Sequence, residues 1–169
     1  AKSDLIPEAY IYWSRTSFAA LIAGIALMPV AALSQAVVAT DALNVEKVAD
    51  GFDAHWAVAI MPDGGFLVTE REGVLWHVAA SGTRTQVSGV PKVRAEGQGG
   101  LLDVVLARDF ETSRRIFLTY AKRQWRKEGT ALATATLAPD NASLTDVDTI
   151  WEMARGSGGG FHFGSRVVE

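Results

Sequence analysis

The 169-residue chain contains no cysteine. That absence excludes a disulfide framework, a cysteine-ligated zinc and a thiol nucleophile, so any redox chemistry would need a borrowed cofactor. It does not by itself fix the compartment. An excess of positive charge is also missing: 16 Lys and Arg stand against 19 Asp and Glu, a net charge of −3. Charges of both signs are spread along the chain, which argues against nucleic acid as a partner. Histidine is scarce, with 3 in all. Long apolar runs are absent too, since the stretch from Phe18 to Val30 falls short of the roughly 20 residues that span a bilayer comfortably. What remains is 49% hydrophobic residues, enough for a core, in a length suited to one domain of ordinary size.

The N-terminal run nevertheless has the order of an export leader. Arg15 precedes the apolar stretch, and Ala31-Ala32-Leu33-Ser34-Gln35-Ala36 places small residues where a signal peptidase cuts. Residues 1–36 are therefore expected to form a signal peptide with a helical apolar segment. Cleavage after Ala36 would leave a periplasmic or secreted protein without stable membrane insertion; a retained anchor is the alternative reading of the same run. Asp4 and Glu8, ahead of Tyr10, Tyr12 and Trp13, are unusual for the front of a leader. They point to a misassigned start or to a piece of a longer reading frame.

From Val45 onward, short alternating runs are punctuated by turn residues, the pattern of strands. Trp56 to Met61, Phe66 to Glu70, Val74 to Val78 and Thr83 to Val87 are separated by Pro62-Asp63-Gly64-Gly65, Glu72-Gly73 and Ser81-Gly82. Proline presets one turn dihedral and glycine accepts positive φ, so these runs are expected to form one antiparallel meander. A looser second meander follows in Leu101 to Leu106, Ile116 to Ala121, Thr130 to Leu137 and Val147 to Met153, with Asp109-Phe110, Gln124 to Gly129 and Pro139-Asp140-Asn141 between its strands. Phe161 to Val168 reads as the first strand of a third unit. The spacing is on the order of the 40 to 50 residues of a propeller blade. An eight-stranded sandwich is the alternative on strand count.

Two glycine-rich segments bracket the chemistry. Gly97-Gln98-Gly99-Gly100 holds a glutamine amide just before a strand, although glycine-rich punctuation is commonly no more than a turn. Gly156-Ser157-Gly158-Gly159-Gly160 is not a phosphate cradle, because no Lys-Ser/Thr follows and the next segment alternates instead of opening a helix. It leads to His162. Imidazole, with an unperturbed pKa of about 6.5, suits proton abstraction near neutrality, and the flanking glycines permit a partner to approach the backbone closely. His55 and His77 read as structural histidines.

Taken in order, Met61-Pro62-Asp63-Gly64-Gly65-Phe66-Leu67-Val68-Thr69-Glu70-Arg71-Glu72-Gly73, Gly97-Gln98-Gly99-Gly100-Leu101-Leu102-Asp103-Val104 and His162-Phe163-Gly164-Ser165-Arg166 resemble the soluble aldose sugar dehydrogenases dependent on pyrroloquinoline quinone, the glucose/sorbosone dehydrogenase family. The resemblance covers about Val45 to Glu169. It implies an all-β chain that is part of a six-bladed β-propeller: about two blades and the first strand of a third, in residues 37–169. It further implies oxidation of the anomeric hydroxyl of an aldose to a lactone, with hydride passing to the quinone and electrons then passing to an external acceptor. By similarity His162 would be the catalytic base and touch the sugar, and Gln98 would lie near quinone and sugar as a polar orienting group. Calcium is implied as a second cofactor, with ligands expected beyond Glu169 and none in this chain. Relatives preferring glucose carry an aspartate before the histidine; Phe161 stands here, which favours the broader aldose branch. The cationic quinone clamp and most of the substrate wall are likewise expected beyond Glu169, so this stretch alone is expected to be inactive.

A noncatalytic propeller or sandwich module binding a sugar, lipid or protein partner, with His162 structural, stays open as the other reading. Remaining features receive structural expectations. Lys122-Arg123-Gln124-Trp125-Arg126-Lys127 reads as a solvated loop tip, Glu70-Arg71 as a hairpin charge pair, and Trp56, Trp76 and Trp151 as packed between sheets. Arg166 is either a neighbour of the base or a blade anchor. Asp103, flanked by Leu102 and Val104, reads as a buried acceptor for turn amides.

Overall fold

In the computed structural model, residues 44–169 are described. The expected signal peptide, residues 1–36, lies outside them. The described chain is all-β, apart from a single short helix. Strands β1 (His55–Ile60), β2 (Phe66–Glu70), β3 (Val74–Val78) and β4 (Arg84–Val87) form one antiparallel sheet in the order β1-β2-β3-β4. Strands β5 (Leu101–Leu106), β6 (Arg115–Gln124), β7 (Lys127–Leu137) and β8 (Leu144–Glu152) form a second, in the order β5-β6-β7-β8. Helix α1 (Phe110–Ser113) lies between β5 and β6, where the sequence suggested only a turn. Both meanders are thus where the alternating pattern puts them.

Alternation also decides which side chains lie between the sheets. On β7, Ala131, Ala133, Ala135 and Leu137 are buried, whereas Leu132, Thr134 and Thr136 are partly exposed. Ala57 and Ala59 of β1 turn inward in the same way, and these alanines pack with Leu67, Leu75, Val87, Leu101, Ile116 and Leu118 in one core. Small side chains let the sheets approach closely, which leaves no room for indoles. The expectation for the tryptophans is corrected accordingly: Trp56, with Val58 and Ile60, and Trp151 on β8 lie on the outward faces and are exposed. Trp76 also faces outward, and the Arg84 guanidinium lies 5.1 Å from its ring centroid.

Three further expectations change. Glu70 is buried and accepts the Asp53 N–H at 2.6 Å, while Arg71 pairs with Glu72 at 2.6 Å, so Glu70-Arg71 is not a charge pair. Phe161 to Val168 is not a strand. Among the described residues no ladder pairs with it, and side chains of the second sheet bind its backbone instead. The presumed loop between Gln124 and Gly129 is a tight hairpin, because β6 runs to Gln124 and β7 resumes at Lys127. Trp125 (φ +57°) occupies its tip and is exposed.

The sheets meet at β5, which lies against β1 and β2. The Thr69 hydroxyl accepts the Ala57 N–H at 3.0 Å and donates to the Leu102 carbonyl at 2.7 Å, and the Leu101 N–H donates to the Arg71 carbonyl at 2.9 Å. His77 is buried on the inner side with Nε2 3.3 Å from the Asn141 amide nitrogen, in keeping with a structural histidine.

Candidate active site

The glycines around Gln98 form a docking loop. Gly97 (φ +57°) and Gly100 (φ +148°) hold backbone conformations that side chains disfavour. A methyl group on Gly97 would overlap the carbonyl of Gly160, and one on Gly100 would overlap that of Arg71. The loop is thereby pressed against the first sheet on one side and against the His162 segment on the other. Arg71 supports it by donating to the Gly97 carbonyl at 2.8 Å.

Gln98 makes the junction in two places. Its backbone N–H donates to the Gly160 carbonyl at 2.8 Å, and its Oε1 accepts the His162 N–H at 3.1 Å. The structure therefore brings together the two residues singled out in the sequence, across a separation of 64 residues. His162 takes a left-handed backbone (φ +63°), unusual for a residue with a side chain and sustained by the surrounding hydrogen bonds. Its imidazole is exposed, with the ring of Phe161 6.3 Å away between centroids. Among the described residues neither ring nitrogen of His162, nor Nε2 of Gln98, has a hydrogen-bond partner. An unengaged imidazole and an unengaged amide donor thus share one exposed rim.

Beyond His162 the chain crosses the outward face of the second sheet as a strap. Thr130 of β7 donates to the Phe163 carbonyl, Thr119 of β6 donates to the Ser165 carbonyl at 2.9 Å, and Asp103 of β5 accepts the Val167 N–H at 3.0 Å. Every second residue of the strap is caught by the next strand of the sheet. Arg166 adds a 3.2 Å contact from its guanidinium to Asp103 Oδ1, which gives it the anchoring role of its two sequence readings. Asp103 can do this because β5 slips register against β6 between Leu101 and Val104. The bulge takes its own N–H off the ladder and gives it to the Thr119 hydroxyl at 2.9 Å. Asp103 is 2% exposed. It is a buried acceptor, as its apolar neighbours implied, but the amide it serves is in the strap and not in a turn.

Thr119 and Thr130 were not legible as functional residues, since threonine is ordinary in strands. The one usable signal was the isolated carboxylate of Asp103 in an apolar run, because a buried charge requires partners. Among the described residues no three His, Asp or Glu side chains converge as a metal site. At the neighbouring corner Lys122 forms a 2.7 Å ion pair with Glu152, and that hydrogen bond raises the lysine pKa against a smaller opposing effect of burial.

The sequence profile of the Glucose / Sorbosone dehydrogenase family matches residues 52–169. Aldose sugar dehydrogenase YliI of Escherichia coli (strain K12) is 45% identical over 146 residues, which cover 84% of this chain and 39% of that protein. Among solved structures, the apo form of the soluble aldose sugar dehydrogenase of Escherichia coli superposes with a TM-score of 0.71 at 44% identity, over 75% of this chain and 37% of that one. The quinone-bound aldose sugar dehydrogenase of Streptomyces coelicolor superposes at 0.64 with 25% identity, over 72% and 36%. This chain thus spans less than two fifths of the length of these two E. coli relatives. The family match covers most of the described chain, and it contains both Gln98 and His162: the chain belongs to the glucose/sorbosone dehydrogenase family.

Proposed function

We propose that the protein, as part of a six-bladed propeller, oxidises the anomeric hydroxyl of an aldose to a lactone with pyrroloquinoline quinone as cofactor. The observation that carries this reading is the exposed, unengaged imidazole of His162, held beside the Gln98 amide by the N–H to Oε1 bond. In this role an imidazole nitrogen removes the hydroxyl proton of the sugar as the C1 hydrogen departs with its electron pair. Concerted loss prevents positive charge from building on carbon. The quinone, when bound, supplies the acceptor for that hydride, and an external acceptor takes the electrons onward. Gln98 Nε2 is free to donate to a sugar or quinone oxygen, and Phe161 offers an apolar face beside the base.

The donor set fits a quinone and a sugar better than a metal, so calcium is assigned to ligands outside the described residues. The exposed apolar residues on both outward faces, Trp56, Val58 and Ile60 on one and Ile150 and Trp151 on the other, support further blades on either side. A periplasmic or secreted location follows from the expected leader. The test is dye-linked oxidation of a panel of aldoses by the full-length protein loaded with quinone and calcium, with the product identified. Lactone formation from several aldoses is the expected result. Absence of turnover on every aldose would leave the noncatalytic binding module as the better reading.

A further inference from the structure

The strap that carries His162 is held by polar anchors more than by packing. Beneath it, a cleft of about 420 Å³ opens between Phe163 to Val168 and the outward face formed by Thr119, Leu132 and Trp151. Contact with the sheet alone would therefore leave the strap free to slide. What fixes its register are the hydroxyls of Thr130 and Thr119 and the carboxylate of Asp103, spaced so that residues 163, 165 and 167 are each caught. Asp103 differs from the other two. It is charged and buried, it holds two consecutive strap residues, and its own N–H is locked by Thr119.

Asp103 lies within β5, the strand that begins directly after the Gln98 loop. Gln98 holds the strap at His162 and Asp103 holds it five residues on, so β5 and the loop leading into it grip both ends of the segment. We propose that Asp103 is a positioning residue: through Val167 and Arg166 it sets where the His162 imidazole stands relative to Gln98. This rests on the reading of His162 as the base. It adds that the position of the base is set from β5. A carboxylate suits this place because it accepts from two donors at once, and charge-assisted bonds are stronger than neutral ones.

The experiment uses the full-length protein and compares wild type with Asp103→Asn, Arg166→Met and Thr130→Val. Hydrogen exchange of peptides covering 160–169 and the rate at which diethyl pyrocarbonate modifies His162 are read alongside kcat, KM and the pH profile of kcat. In Asp103→Asn, exchange of the strap amides should rise about tenfold or more, the scale of one lost charge-assisted bond. The reactivity of His162 should change with it. Turnover should fall on the order of a hundredfold, the effect of misplacing a reacting group by about 1 Å, with KM moving far less. Arg166→Met keeps the Val167 bond and should give a smaller change in each readout. Adding Asp103→Asn to His162→Gln should cause little further loss, since the two act through one group.

Should Asp103→Asn not fold, Thr130→Val removes one anchor without a charge, and several-fold faster strap exchange with reduced kcat is then expected. Unchanged exchange and reactivity at the strap in the folded variants, or unchanged kcat despite faster exchange, would overturn the positioning role. If the wild type oxidises no aldose, the base assignment fails. Strap exchange and His162 reactivity then still decide whether Asp103 positions the histidine.

Discussion

The two sheets have the same meander and differ in what they turn away from each other. The first presents Trp56, Val58 and Ile60, apolar and exposed. The second also exposes Ile150 and Trp151 at its β8 edge, but adds Asp103, Thr119 and Thr130, whose oxygens are spent on one crossing segment. An apolar face attracts by area and without direction, so it suits a broad partner surface. A polar face with satisfied hydrogen bonds holds one segment in one register. That contrast explains why the candidate base is carried across the second sheet. A proton-transfer group has to be held to within a fraction of an ångström, and direction comes from hydrogen bonds.

Irregularity follows the same division. The first sheet has one register shift, between His55 and Ala57. The second has shifts between Leu101 and Val104, between Leu132 and Ala133, and between Thr134 and Thr136. The bulge at Asp103 re-aims a carboxylate at the strap.

The comparison can be broken first at the junction of the sheets. Gly100→Ala would place a methyl group onto the Arg71 carbonyl at a φ of +148°, and a loss of about 3 kcal/mol is expected from overlap and backbone strain combined. Chemical denaturation would measure it, and a loss below about 1 kcal/mol would show that the loop is not wedged between the sheets. Next comes a matched pair on the two outward faces. Thr119→Val leaves the buried Asp103 N–H and the Ser165 carbonyl without their partner, so a loss of about 1–3 kcal/mol is expected. In this chain Ile60→Thr, at an exposed apolar site, should stay within about 0.5 kcal/mol. Equal losses at the two sites would erase the distinction between the faces.

The smallest effect concerns Lys122, whose pKa is raised chiefly by its hydrogen bond to Glu152. A raised folded-state value means that the folded chain holds the proton more tightly than the unfolded one. The stabilisation is therefore fully present below the ordinary lysine pKa of about 10.4 and is lost as pH rises through the higher folded value. Both partners are more than one third exposed, which limits the pair to about 0.2–1 kcal/mol. Lys122→Met should show that difference from wild type at neutral pH and none in strong alkali.

How much could be read from the sequence divides along the same lines. All eight strands were legible, because alternation and turn glycines are local signals: Pro62 to Gly65 and Glu72-Gly73 mark their hairpins without reference to anything distant. The choice of Gln98 and His162 as site residues came through a resemblance in the order of motifs, not through periodicity; the bond between them was supplied by the structure. Three things were not legible. The strap from Phe161 to Val168 alternates like a strand, yet side-chain oxygens satisfy its backbone groups in place of a ladder, and no local pattern distinguishes the two. The placement of Trp56 and Trp151 depended on how closely the sheets approach, which the alanines of β7 decide. The role of Asp103 required a bulge, and a register shift leaves no mark in composition.

The central claim is that His162 is the base of a quinone-dependent sugar dehydrogenase. It is tested most directly by turnover of the full-length protein, loaded with quinone and calcium, before and after His162→Gln. The account predicts a fall in kcat of about 10²–10⁴, the range for removing a general base, with quinone binding largely intact. Full retained activity in the variant would contradict it.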